Sequence, residues 1–213
     1  MADESLSRGE RTRAEIVQAA HVLFVRQGYH GTSMRQIAKK AGIALGGVYN
    51  HFESKQDVFR EVFLAYHPYQ EVLPAMMRAE GETVEEIVQD AIDRMIAALQ
   101  DRPNFMNLMF IEVVEFNSQH ARELFTTAVM PQFVQILQRT LQTDGERLRP
   151  IPPMMLLRAF FGLFFSYFLT EIIFADSAPS EFREGAMDYL TNIFLHGILR
   201  PDPVPSLEQA VVT

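Results

Sequence analysis

The sequence predicts an all-α fold, with a three-helix N-terminal head and a larger C-terminal helical bundle. Three observations predict it. Apolar residues recur every three to four positions almost throughout, and no strand-like alternation or internal repeat survives. Helix-opening pairs stand at capping spacing, Ser33 with Gln36, Ser54 with Asp57 and Thr83 with Glu86. Formal charge also divides the chain. Residues 1–60 carry nine Lys/Arg against six Asp/Glu, whereas residues 61–213 carry ten against twenty-one, for a net −8. A basic head on an acidic body suits approach to a polyanion one end first, with a chance asymmetry as the plainer alternative.

Residues 1–8 read as disordered, and the first helix is expected over 9–27. Ile16, Ala19, Ala20, Leu23 and Phe24 form its buried stripe. Arg8, Arg11 and Arg13 sit at its N-terminal end, where the helix dipole disfavours cations. Phosphate contact and a solvated charge cluster both account for them. Gly28 ends this helix. Thr32 or Ser33 then caps a second one, in which Ile37, Ala38 and Ala41 face inward. Gly42 closes it, since glycine takes a positive φ at no steric cost. Ile43 enters the turn, and a short helix over about 44–50 buries Val48 beside Ile37. This is the pattern of a helix-turn-helix, with the motif at about 32–51, whose second helix can lie in a DNA major groove. A tight helical hairpin in a bundle has a similar outline. Gly46 and Gly47, poor helix formers, favour close approach to a partner instead. Tyr49, Asn50, His51 and Lys55 come after them with hydrogen-bond donors, Lys55 in the first turn of the next helix.

Gly28-Tyr29, Thr32-Ser33, Ile37-Ala38, Ala41-Gly42-Ile43, Gly46, Val48-Tyr49, His51-Phe52 and Lys55 together resemble the N-terminal signature of TetR/AcrR-type transcriptional regulators. The resemblance covers about residues 9–65 without gaps; beyond them only helical style and length are similar. It implies a homodimer, a near-palindromic operator on double-stranded DNA, a small-molecule pocket in the body, and a helix after the head that carries the conformational signal. One departure stands out. The family often has a polar or basic pair where this chain has Ala44-Leu45. Fewer side-chain phosphate contacts remain, and Leu45 either touches a thymine methyl or packs. The DNA-binding residues expected are Thr32, Ser33, Ala44, Leu45, Gly47, Tyr49, Asn50, His51 and Lys55. Among them Tyr49, His51 and Lys55 are expected on phosphates, and Leu45, Gly47 and Asn50 near base edges.

The head is expected to span 1–65, a ligand-binding and dimerisation body 66–200, and a mobile tail 201–213. Val58, Val62 and Tyr66 form the apolar face of the helix opened by Ser54. Pro68 and Pro74 interrupt the chain beyond it, and Gly81 marks the next break. A helix from Thr83 to about Gln100 precedes one over 104–116 that is apolar on nearly all sides and so expected to be central. Ser118 is expected to cap the next, running to about Gln142 with a kink at Pro131. A charged, proline-containing loop covers 143–153. The stretch 154–175 approaches membrane-spanning length, but only twelve uncharged residues separate Arg158 from Glu171, so a core or interface helix fits better. Ser180 is expected to open the last helix, over 180–199. The two C-terminal helices need a partner surface, either inside the monomer or in a second copy as a four-helix bundle.

A pocket in the body, as the resemblance implies, is expected to involve Phe110, Glu112, Glu115, Phe116, Phe133, Arg158, Phe164 and Tyr167. Most such rings in a helical body are structural core. The charged members are more telling, because an unpaired buried charge is costly. Glutamates facing a cavity would suit a cationic or hydroxylated ligand; if Glu112 pairs with Arg158 instead, the site is a structural ion pair or a clamp for a neutral apolar ligand.

The chain has no cysteine, which excludes disulfides and thiolate chemistry. Its six histidines form no zinc-binding pattern, and no phosphate loop or serine elbow occurs, so no metal, cofactor or catalytic residue is expected. The acidic start, Met1-Ala2-Asp3-Glu4, lacks a following apolar run, so no signal peptide is expected and the cytoplasm is the expected compartment. A ligand-released repressor is therefore the leading reading. A helical dimeric interaction module without operator binding is the alternative, and a helical-bundle enzyme the remotest one.

Overall fold

The computed structural model describes residues 7–100, 102, 104–174 and 185–199. The expected tail at 201–213, the helix start at Ser180 and most of the expected disordered 1–8 lie outside them. Eleven α-helices occur among the described residues: α1 (Arg8–Gln27), α2 (Met34–Ala41), α3 (Leu45–Tyr49), α4 (Lys55–Tyr66), α5 (Tyr69–Met77), α6 (Val84–Gln100), α7 (Phe105–Phe116), α8 (Gln119–Leu124), α9 (Met130–Asp144), α10 (Pro153–Phe174) and α11 (Ala186–Ile198). Among the described residues an isolated antiparallel bridge, Leu148 to Leu199, takes the place of any strand. The chain forms two compact units, one of residues 1–73 with 97–130, the other of 74–96 with 131–213.

In the first unit, α1 begins in a capping box. Ser7 Oγ accepts the Glu10 N–H while Glu10 accepts the Ser7 N–H, a pair at the same spacing as the three expected from sequence but not among them. Ile16, Ala20, Phe24, Ile37, Val48, Phe52, Val58, Phe59, Val62 and Phe63 build one continuous core. Each large side chain buried there contributes about 1.5–3 kcal/mol against the ordering entropy. Leu108 and Leu124 belong to the same core. The helix α7 is not central, however. It buries Met106, Leu108 and Glu112 and leaves Val113 and Val114 52% and 76% exposed.

Glu112 explains how α8 starts. Ser118 sits in the left-handed region (φ 59°) and makes no side-chain cap. Instead Glu112 Oε1 accepts the N–H groups of His120 (2.7 Å) and Ala121 (3.0 Å), and its Oε2 lies 2.8 Å from His120 Nδ1. Both side chains are buried, with the imidazole 5.2 Å from the Phe116 ring. The carboxylate thus caps α8 from another helix, so Glu112 is committed to His120 and Ala121, an arrangement that neither alternative weighed from sequence foresaw, and Arg158 is exposed. A π-helical turn, Phe125–Val129, comes after α8, so the irregularity expected at Pro131 falls just before it. Pro74 lies inside α5 rather than ending it, whereas Pro68 separates α4 from α5.

The second unit packs Val84, Leu148, Leu156, Phe194, Ile198 and Leu199 as its core. At its first helix the Thr83–Glu86 box is only half made. Thr83 Oγ1 accepts the Glu86 N–H, but Glu86 turns to the Glu82 N–H. The helix α10 is long and apolar enough, by length and composition, to cross a bilayer. It is also paired with α11, and Leu156, Leu157 and Phe164 are buried.

Two measurements bear on this packing. Glu112→Ala orphans two amides and the imidazole, so it is expected to lower the unfolding free energy by about 3–5 kcal/mol in urea titration, and Glu112→Gln by less. His67, at the end of α4, has its pKa lowered from 6.5 to about 4 by burial. Its Nδ1 accepts the Tyr69 N–H, which requires the unprotonated ring. The unfolded chain therefore takes up this proton first. The contribution of His67 to stability is complete above about pH 6.5 and lost as the pH falls towards 4, and a His67→Asn variant is expected to show a flatter pH dependence of Tm in that window.

Candidate nucleic-acid interface

The recognition helix α3 has five residues, two of them glycine, too few to be stable alone. Neighbours hold it. Gly42 takes the left-handed conformation expected of it (φ 72°), which turns the chain sharply after α2 and lets Ile43 N–H reach the Ala38 carbonyl. Val48 is fully buried and Leu45 packs against the same core. Of the two readings for Leu45, packing therefore accounts for most of its side chain. A side chain at Gly47 would come into ordinary contact with Ile43, and one at Gly46 would meet open space. At the start, Ala44 is the N-cap residue and offers no capping side chain. Tyr49 is 51% exposed, Asn50, Ser33 and Ala44 are exposed, and His51 is half-buried. These residues form one end of the first unit's helix-turn-helix.

Two expected contacts have internal tasks. Thr32 is buried, donating to the Gly28 carbonyl (2.9 Å) and accepting from Gln27 Nε2, so it ties the α1–α2 turn together rather than facing outward. Lys55 Nζ donates to the carbonyls of Tyr29 (2.7 Å) and Thr32 (2.8 Å) and lies 4.1 Å from the centre of the Tyr29 ring. Burial lowers its pKa, opposed by the charge of Glu115. The ammonium thereby fastens α4 to the turn before α2. Ser33 closes a full capping box with Gln36. Sequence reasoning passed over Arg35, Lys39 and Lys40, of which Lys39 and Lys40 are exposed on α2 together with Arg35. Their signal was positional, since the buried Ile37 and Ala38 put them on the opposite side of the helix.

The residues expected to line a ligand site are dispersed. Glu115 pairs with His30 at 2.6 Å, and Phe116 packs on Phe59 and Tyr29 in the first unit's core. Glu112 caps α8, Phe110 and Arg158 are exposed, Phe164 is buried on Phe160, and Tyr167 is half-buried. The second unit contains a cavity of about 80 Å³, lined by Val84, Val88, Phe133, Ile136, Phe160 and Phe194 among others. Of the expected set only Phe133 reaches it. Among the described residues Thr140 is its one polar lining residue, and that hydroxyl donates to the Ile136 carbonyl.

A short helix presented by a glycine turn, with exposed polar residues at its end and cations on the preceding helix, defines a helix-turn-helix DNA-binding protein. Comparison with known proteins gives the same class. The family profile described as bacterial regulatory proteins, tetR family, matches residues 16–62. The chain is 26% identical over 156 residues to the uncharacterised HTH-type transcriptional regulator YfiR of Bacillus subtilis, covering 71% of this chain and 75% of that protein. It is 30% identical over 136 residues to the HTH-type transcriptional repressor KstR2 of Rhodococcus jostii, covering 58% and 66%. A crystal structure assigned to the TetR family from Mesorhizobium loti superposes with TM-score 0.68 at 26% identity, over 92% of this chain and all of that one. The chain belongs to the TetR family and is a DNA-binding transcriptional regulator, not an enzyme.

The different tasks of Tyr49 and Lys55 separate in stability. Lys55→Met is expected to lower the unfolding free energy by about 2 kcal/mol, and Tyr49→Ala by less than about 0.5 kcal/mol, as read by urea denaturation.

Proposed function

We propose that the protein is a repressor that binds a near-palindromic operator as a homodimer and leaves it when a small apolar molecule enters the second unit. The observation that carries this reading is the α3 end, where Tyr49 and Asn50 stand exposed on a helix held rigidly from behind. Functionally the chain divides into a DNA-binding head, 1–65, and a ligand and dimerisation body, 66–200. Ser33, Tyr49, His51, Arg35, Lys39 and Lys40 meet phosphates, while Ala44, Gly47 and Asn50 lie near base edges and Leu45 backs them.

Support for the homodimer comes from α10 and α11, which leave Met154, Met155, Phe161, Phe165, Ile173, Tyr189 and Ile193 each more than 40% exposed. Apolar exposure on that scale fits a buried contact with a second copy. Two heads on one face of the duplex then meet symmetric half-sites. Support for the ligand's chemistry comes from the lining of the cavity, which offers no charge to a cation. An uncharged apolar ligand fits, and the cationic alternative loses its basis because Glu112 and Glu115 are already paired. At about 80 Å³ the cavity is smaller than the ~150 Å³ that holds benzene in an engineered core, so entry of a larger ligand must spread its helices. A ligand that binds the spread state better by a few kcal/mol is enough to move the population off DNA. Such a regulator works in the cytoplasm, with the DNA.

Selection of sites by the purified protein from a random duplex pool tests the reading. Enrichment of a near-palindrome whose affinity falls steeply with salt is expected; no enrichment at low salt would favour a helical interaction module instead. Ile193→Asp with Tyr189→Asp is expected to yield monomers in analytical ultracentrifugation and to abolish the enrichment. Val88→Phe, which fills the cavity, is expected to keep operator binding while removing thermal shifts caused by uncharged aromatic probes.

A further inference from the structure

Arg13 lies on α1, 38 residues before His51, yet its guanidinium reaches the end of the recognition helix. Its Nη1 donates to the His51 carbonyl at 2.8 Å. Its Nη2 lies 3.2 Å from Glu61 Oε2 on α4, and the guanidinium carbon stands 4.2 Å from the centre of the Phe52 ring. Phe52 is buried. The His51 carbonyl lies just beyond α3, at the end where a helix runs out of internal donors. Three separate interactions from one planar group therefore fix the chain just after Asn50.

A five-residue helix with Gly46 and Gly47 in it has little stiffness of its own. Val48 and Leu45 hold it to the core and Gly42 sets the turn before it, which fixes its start and its buried face. The bond to the His51 carbonyl adds a restraint at its other end, next to Tyr49 and Asn50. We infer that Arg13 is a positioning residue for operator discrimination: it orients α3 from behind and touches neither phosphate nor base. A guanidinium suits the task, since a lysine ammonium cannot meet carbonyl, carboxylate and ring face together in one plane. The side chain is 40% exposed, so its pairing with Glu61 adds little to global stability. Its effect falls on the orientation of one short helix.

The inference rests on operator binding by the head, which site selection with the wild-type protein establishes or refutes before any variant is made. The test measures affinity for the selected site and for random duplex across a salt series, using the full chain. For Arg13→Gln, affinity for the selected site is expected to fall roughly ten- to hundredfold, while affinity for random DNA stays within about twofold. The slope of log affinity against log salt is expected to stay at its wild-type value, because no phosphate contact is removed. Glu61→Gln, which leaves the carbonyl bond in place, is expected to keep the ratio of specific to random affinity close to wild type. Equal weakening on both DNAs, with the slope reduced by about one, would make Arg13 a phosphate contact and overturn the inference. An unchanged ratio would overturn it as well. If Arg13→Gln does not fold, Arg13→Lys decides: a reduced ratio with an unchanged slope supports the positioning role, and a wild-type ratio refutes it.

Discussion

A five-residue helix cannot hold itself in place, and the organisation of the head derives from that constraint. Intrahelical bonding stabilises α3 hardly at all, and its two glycines lower its stiffness further. Orientation must come from outside. Val48 and Leu45 supply it from the core, the left-handed Gly42 from the turn, and Arg13 from α1. Lys55 performs the corresponding task one step back, drawing α4 onto the carbonyls of Tyr29 and Thr32 where α2 is about to begin. Both cations donate to backbone carbonyls. A signature that looks like a set of DNA contacts is thus partly the scaffold that aims them.

The same economy runs through the rest of the first unit. Tyr29 lies beneath Lys55 and edge-on to Phe116 of α7, and His30 next to it meets Glu115. The turn between α1 and α2 is therefore held by α4 and α7 at once. Glu112 gives α7 a second bond, as the cap of α8. In the second unit the character differs. Its cavity is almost wholly apolar, and its two last described helices leave apolar side chains outward. Among the described residues no acidic side chain lines that apolar interior.

Much of the head was legible in the sequence, because its signals are local. Ser33–Gln36 and Ser54–Asp57 stand at capping spacing, Gly42 ends an amphipathic turn, and Ile37, Ala38 and Val48 mark an inward face; each is decided within a few residues. The pocket residues were far less legible. A carboxylate in an apolar helix reads as a ligand contact or an ion pair, and the sequence offers no sign that Glu112 meets the amides of His120 and Ala121 instead. Phe133 does line the cavity, while nothing in the identity of Val84, Val88 and Ile136 separates core from cavity wall.

By itself the sequence determined the helical class, the capping and turn signals of the helix-turn-helix, and a net positive charge over residues 1–60 against a net negative one beyond them. These depend on periodicity, capping and charge, which act over one or two turns. Only the tertiary structure decided which cations point inward. Arg13 and Lys55 cannot be told from Arg35 and Lys39 by residue type, since each partner lies 23 or more residues away in sequence. Whether a charged side chain meets solvent, a phosphate or a distant carbonyl is settled by which helix packs beside it, and that choice is made by the core as a whole.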